Sequence, residues 1–253
     1  MVNFLASLIV KEKTNYMTTS KMLLFLCLFA SVIACKQPTA EEETETKVIN
    51  LDDQYRQNIV DYSEYDLASL GIEDPQYFKP IEAGAIAPDF TLNDKDGAAV
   101  HLNELTKNGS VALFFYRGQW CPNCNKQLAA FVEEADRLED AGVQLVAVTP
   151  ENYEAVTQAR EKTNAEFMIL SDPEAEVMKQ YGVAFEVTQD YQDRLKDYDV
   201  NLDATESGEV LLPVPATFVI NQENKVVYTH FDPKYQNRAS VDDILDALKM
   251  SEE

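Results

Sequence analysis

Cys121 and Cys124 are separated by Pro122 and Asn123, and they fall where an apolar run meets a helical stripe. Residues 111–116 are continuously apolar, the pattern of a strand buried on both faces. Leu128, Phe131, Val132, Ala135 and Leu138 then recur at helical spacing. A dithiol at that join meets the free N–H groups and the positive dipole end of the helix, and both favour a thiolate. A lowered pKa is what makes a cysteine reactive. Pro122 suits a first helical turn, where its missing N–H costs nothing. A structural staple is the competing reading, but one that closes so short a loop gains little chain entropy. The chemistry predicted is redox cycling between dithiol and disulfide.

The other two cysteines belong to a different kind of segment. Lys21, the apolar run 22–30 and then Val32-Ile33-Ala34-Cys35 have the form of a bacterial lipoprotein signal, with cleavage before Cys35 and lipid on its thiol. The run is shorter than the roughly 20 residues that span a bilayer, which weighs against a transmembrane anchor. Residues 1–34 are read as this signal region, with Met17 an alternative start. Residues 35–47 carry the lipid site and an acidic tether with Glu41, Glu42, Glu43 and Glu45. Extended, that tether reaches roughly 40 Å. Lys36 is not the Asp that resembles an inner-membrane retention signal, so the expected location is the cell envelope, lipid-anchored, with the outer membrane favoured. Cys27 leaves with the signal, and Cys121 and Cys124 either bond each other or stay free. The chain has 44 acidic against 21 basic residues, a formal charge of −23. That argues against nucleic acid as a partner, and against any membrane contact other than the lipid.

Further along, 48–82 is read as an N-terminal helical extension on the strength of Leu51, Tyr55, Ile59 and Val60, and the compact domain is placed at 83–253. Residues 88–92 and 100–102 flank an Asp-Gly turn and predict a hairpin. Strands are predicted at 143–148 and 167–170, with a helix capped by Thr149-Pro150-Glu151 that runs to about Thr163 and another from Asp172-Pro173 to Gly182. This alternation implies a largely parallel sheet with helices on both faces. Residues 185–210 break the rhythm and are read as an insertion over one edge of the site, or as a disordered loop. A second hairpin follows at 215–231, and Ser240 with Asp243 starts a last helix.

Three blocks resemble the peroxiredoxin-like proteins of the alkyl hydroperoxide reductase/thiol-specific antioxidant (AhpC/TSA) family. They are Ala87-Pro88-Asp89-Phe90-Thr91-Leu92, the Phe-Tyr-Arg-Gly-x-Trp-Cys-Pro-x-Cys run from Phe115 to Cys124, and Pro213-Val214-Pro215-Ala216-Thr217-Phe218. The resemblance implies an α/β thioredoxin-like fold, a central mixed sheet with helices on both faces. It also implies an antioxidant thiol oxidoreductase without cofactor or metal, served by a thiol electron donor such as a thioredoxin-like protein. By the family's spacing Cys124 holds the peroxidatic position. Arg117 replaces the leading Pro, Cys121 the hydroxyl residue, and Pro215 the arginine that faces peroxide. What stands there instead is similar to thioredoxin: Trp120-Cys121-x-x-Cys124 as the dithiol, and Val214-Pro215 as its cis-proline, whose preceding backbone would pair with an extended substrate.

Two role assignments follow from the two resemblances. As in a thioredoxin, Cys121 at an exposed helix start attacks a protein disulfide and Cys124 resolves; as in a peroxiredoxin, Cys124 attacks a hydroperoxide and Cys121 resolves. The missing peroxide-binding groups favour disulfide exchange through Cys121. Arg117 is read as a thiolate stabiliser or as the partner of a nearby acid. Zinc held by Cys121, Cys124, His101 and His230 lacks the second close pair such sites carry. A copper-delivery site would want one more residue between the cysteines, and a non-catalytic binding module on the same fold stands as the alternative of another class.

Overall fold

A computed structural model describes residues 62, 65–74, 76 and 78–251. The signal region, Cys35, the tether and residues 48–61 lie outside the described residues. Within 65–82 the chain forms a turn and then strand β1 (Ile72–Asp74), where a helix was expected. The body also begins ahead of Ala83, because Ile72 and Phe78 are buried with Phe185, Leu212 and Val214 in a cluster that Tyr62, Leu67 and Leu70 pack against.

The central sheet holds β2 (Thr91–Asn93), β3 (Ala99–His101), β4 (Ser110–Phe115), β5 (Val143–Thr149), β6 (Met168–Ser171), β9 (Ala216–Ile220) and β10 (Val226–Phe231), in the order β10-β9-β4-β5-β6-β2-β3. Only β4–β5 and β5–β6 run parallel. The two hairpins add antiparallel edges on either side, so the sheet is mixed rather than largely parallel. On β4, Val111, Leu113 and Phe115 face one core, while Ala112 and Phe114, with Tyr116 beyond the strand, face the other. The first face is covered by α1 (Leu102–Leu105) and α5 (Glu176–Gln180). The second is covered by α2 (Pro122–Glu133), α3 (Ala135–Asp140), α4 (Tyr153–Thr163) and α7 (Val241–Ser251). The period-two alternation of β4 thus gives it a packed layer on each side.

The stripe from Leu128 to Leu138 is two helices, because Glu134 leaves helical geometry at φ −114° and ψ 12°. Ser240 and Asp243 cap α7 reciprocally, each side chain accepting from the other's backbone N–H. The stretch 185–210 is ordered. Its β7 (Ala184–Val187) lies between β1 and β8 (Leu211–Pro213) in a second, three-stranded sheet, and α6 (Gln189–Lys196) follows. Thr188 caps α6 by accepting from the Tyr191 N–H at 3.2 Å.

Candidate active site

Cys121 is the N-cap of α2, with the extended backbone (φ −83°, ψ 114°) that a cap requires, and its Sγ accepts from the Cys124 N–H at 3.4 Å. Pro122 opens the helix, as its missing donor predicts. Both thiols are reduced and fully buried. This corrects the expectation of an exposed Cys121: its sulfur lies beneath the Arg117 guanidinium, which donates to it from Nη2 at 3.2 Å. Arg117 is itself buried, and among the described residues no ion pair joins it to a carboxylate. Its Nη1 donates to the Tyr191 hydroxyl at 2.8 Å, and its guanidinium carbon lies 3.9 Å from the Tyr235 ring and 5.2 Å from that of Trp120.

These contacts split the two thiols. The hydrogen bond from the Cys124 thiol, followed by the charge and N–H of Arg117 and the Cys124 backbone N–H, outweighs burial and brings the Cys121 pKa down to about 5. Burial, then the hydrogen bond to Cys121 and that thiolate's charge, push Cys124 well above the usual thiol range. Burial lowers the Arg117 pKa, but the Cys121 thiolate and Tyr191 more than offset this and hold it above the ordinary arginine value. Near neutral pH the site is therefore a Cys121 thiolate, a Cys124 thiol and a guanidinium.

A second guanidinium comes from the connection between β10 and α7. Arg238 places Nη2 3.7 Å from Cys124 Sγ while Nη1 donates to Gln127 Oε1 at 2.6 Å. A guanidinium thus approaches Cys124 from a segment other than buried Pro215, where the resemblance would place one, and no local pattern marks Arg238. Tyr191 and Tyr235 were equally invisible in the sequence, because each reaches the site from a segment without apolar period.

Trp120 is half-buried and lines, with Arg117, Gln119 and Glu151, a cavity of about 320 Å³ whose far wall is residues 199–203. Residues 199–203, within the stretch that broke the rhythm of the sequence, thus lie beside Trp120 and Arg117. A side chain at Gly118 would be strained: a Cβ there would crowd Trp120 Nε1 and lie 2.7 Å from Glu151 Oε1, at a φ of +148°. Asn152, not Thr149-Pro150-Glu151, caps α4 by accepting from the Ala155 N–H, which leaves the Glu151 carboxylate to face the cavity.

The predicted substrate surface at Val214-Pro215 is corrected. Both residues are buried, and the Val214 N–H already donates to the Val183 carbonyl at 2.8 Å, so it is not available to an extended substrate strand. His101 bonds Thr91 across the β2–β3 hairpin at 2.8 Å, and His230 pairs with Thr217 on β9. Among the described residues no group of three or more His, Cys, Asp or Glu is placed to hold a metal, and no helix is long and apolar enough to cross a membrane.

The profile of the AhpC/TSA family matches residues 83–229, more than half of the chain. Peroxiredoxin Bcp of Escherichia coli (strain K12) is 34% identical over 104 residues, 41% of this chain and 66% of that protein. The chloroplastic peroxiredoxin Q of Oryza sativa subsp. japonica is 32% identical over 103 residues, 41% of this chain and 47% of that protein. The match therefore spans less than two thirds of each relative's length. The crystal structure of peroxidoxin BcpB from Mycobacterium tuberculosis is similar with a TM-score of 0.56 at 23% identity, covering 67% of this chain and 97% of that one. Reduced Prx3 in complex with H2O2 from Vibrio vulnificus gives 0.54 at 22%, covering 66% and 99%. These structures share the fold.

Proposed function

The chain belongs to the AhpC/TSA family, and on that premise we propose that it is a thiol-dependent peroxidase in which Cys121 attacks a hydroperoxide and Cys124 resolves. The observation that carries this reading is the 3.2 Å contact between Arg117 and the Cys121 sulfur, which adds to the hydrogen bond from the Cys124 thiol in keeping one of two adjacent buried thiols ionised. The Cys121 thiolate attacks the terminal oxygen of ROOH; the S–O bond forms, the O–O bond breaks, and RO⁻ leaves to become ROH. Cys124 then attacks the sulfenic acid, the S–O bond breaks, and the thiol proton joins the departing hydroxide as water. A thioredoxin-like dithiol returns two electrons to the Cys121–Cys124 disulfide.

Sequence alone favoured disulfide exchange. Two observations support a small oxidant instead: the fully buried sulfur, and the Val214 N–H already bonded within the fold. A second reading, with Cys124 peroxidatic and Cys121 resolving, draws support from the Arg238 guanidinium 3.7 Å from Cys124. The cycle is tested on the reduced full-length protein in detergent. One equivalent of hydroperoxide should remove the Cys121 and Cys124 thiols together and form a disulfide within one chain. Unchanged thiols would leave a non-catalytic module.

The same proposal places the enzyme in the cell envelope, held by lipid on Cys35 with the acidic tether as a leash, on the outer rather than the inner membrane. Cys35→Ser should move the protein from the membrane fraction to the soluble fraction. A variant that still sediments with membranes would contradict the anchor.

A further inference from the structure

Glu151 carries a half-buried carboxylate that the dithiol cycle leaves unused. It follows β5, and its Oε2 accepts from the Gln119 N–H at 2.7 Å, while Oε1 lies against Gly118. The carboxylate thus closes on the chain just ahead of Cys121. It lines the same cavity as Arg117, whose Nη2 donates to the Cys121 sulfur. The cavity is large enough for a small organic molecule, since a water molecule occupies only about 30 Å³ of liquid.

Resting on the reading of Cys121 as the attacking thiolate, we propose that Glu151 is the proton donor to the oxygen that leaves when the peroxide bond breaks. An alkoxide is a strong base and a poor leaving group, so a positioned acid lowers the barrier by protonating it as the O–O bond lengthens. The balance is complete: Cys121–S⁻, ROOH and Glu151–COOH give Cys121–SOH, ROH and Glu151–COO⁻. Proton uptake through the cavity restores the acid.

The groups that face Glu151 fit this role. Burial raises its pKa to about 7; the Gln119 N–H opposes that, the Cys121 thiolate and Asp203 add to it, and Lys162 opposes it. Asp199 and Arg117 share the cavity wall, and the buried Tyr116 stays a neutral phenol, because burial and then the Glu151 charge raise its pKa. Cys121 is ionised above about 5 and Glu151 is protonated below about 7. The reactive form therefore fills the window between them and is lost on the alkaline side as Glu151 releases its proton.

The test compares wild type with Glu151→Gln, which keeps the size of the side chain and an oxygen for the Gln119 N–H. Oxidation of the reduced full-length protein is followed through the fluorescence of Trp120, its only tryptophan. tert-Butyl hydroperoxide expels a strongly basic alkoxide, and peracetic acid expels weakly basic acetate. The variant should react about a hundredfold more slowly with the first and within about threefold of wild type with the second. It should also lose the alkaline fall of the wild-type rate. Equal slowing with both oxidants, or no slowing with either, would overturn the role of Glu151 alone. A wild type that reacts with neither would remove the peroxidase reading and the Glu151 role with it.

Discussion

Replacing Arg117 with methionine should slow reaction at Cys121 by about tenfold to a thousandfold at mildly acidic pH, since an opposite charge in contact typically moves a pKa by about 1–3 units. The thiolate fraction at Cys121 sets the size of this effect. In the wild type the Cys124 hydrogen bond, then the Arg117 charge and N–H, hold Cys121 ionised above about pH 5. Methionine keeps the volume between Tyr235 and Trp120 but removes the charge and the donor. The pKa of Cys121 must then rise, and the thiolate is lost in the interval between the old value and the new. The deficit should shrink as pH rises past the new pKa, because both proteins are then ionised. The pH profile of iodoacetamide alkylation of the reduced protein measures this directly. A profile that does not move would assign the low pKa to Cys124 and the α2 N-terminus alone. Arg117→Lys should recover part of the rate, since the charge returns without the fork that also binds Tyr191.

The second large effect belongs to the thiols themselves. Cys121→Ser should lower the rate constant for hydroperoxide consumption by about a thousandfold or more, because no other group in the site is ionised and nucleophilic. Cys124 is held as a buried thiol by burial, by its bond to Cys121 and by that neighbour's charge. Removing Cys121 abolishes the last two influences. The Cys121→Ser protein therefore also reveals what Arg238 can do for Cys124 when unopposed. Cys124→Ser should keep the first oxidation but lose turnover, since the sulfenic acid then has no neighbour to resolve it.

The periodic parts of the fold were legible in the sequence. The apolar run of β4, the stripe of α2 and the Asp-Gly hairpin placed the dithiol at a strand-to-helix join, and Trp120, Cys121, Pro122 and Cys124 are where that reading put them. The site's supporting groups were not legible, for a physical reason. Glu151 sits in what reads as a helix cap until Asn152 takes the cap and turns it toward the cavity. Tyr191 lies on α6, a short helix that buries none of its residues fully and so carries no apolar signal. Arg238 and Tyr235 lie in the connection between β10 and α7, where no periodicity constrains the chain. The Val214 N–H is occupied by the Val183 carbonyl, a bond between segments distant in sequence that no local pattern signals. Residues that act through tertiary proximity leave no local pattern.

The account turns on which sulfur meets the oxidant. The most direct measurement treats the reduced Cys124→Ser protein with one equivalent of hydroperoxide in the presence of dimedone and locates the adduct by peptide mass spectrometry. The account predicts stoichiometric label on Cys121. An unlabelled Cys121 in that protein, together with label on Cys124 in Cys121→Ser at the wild-type rate, would contradict it.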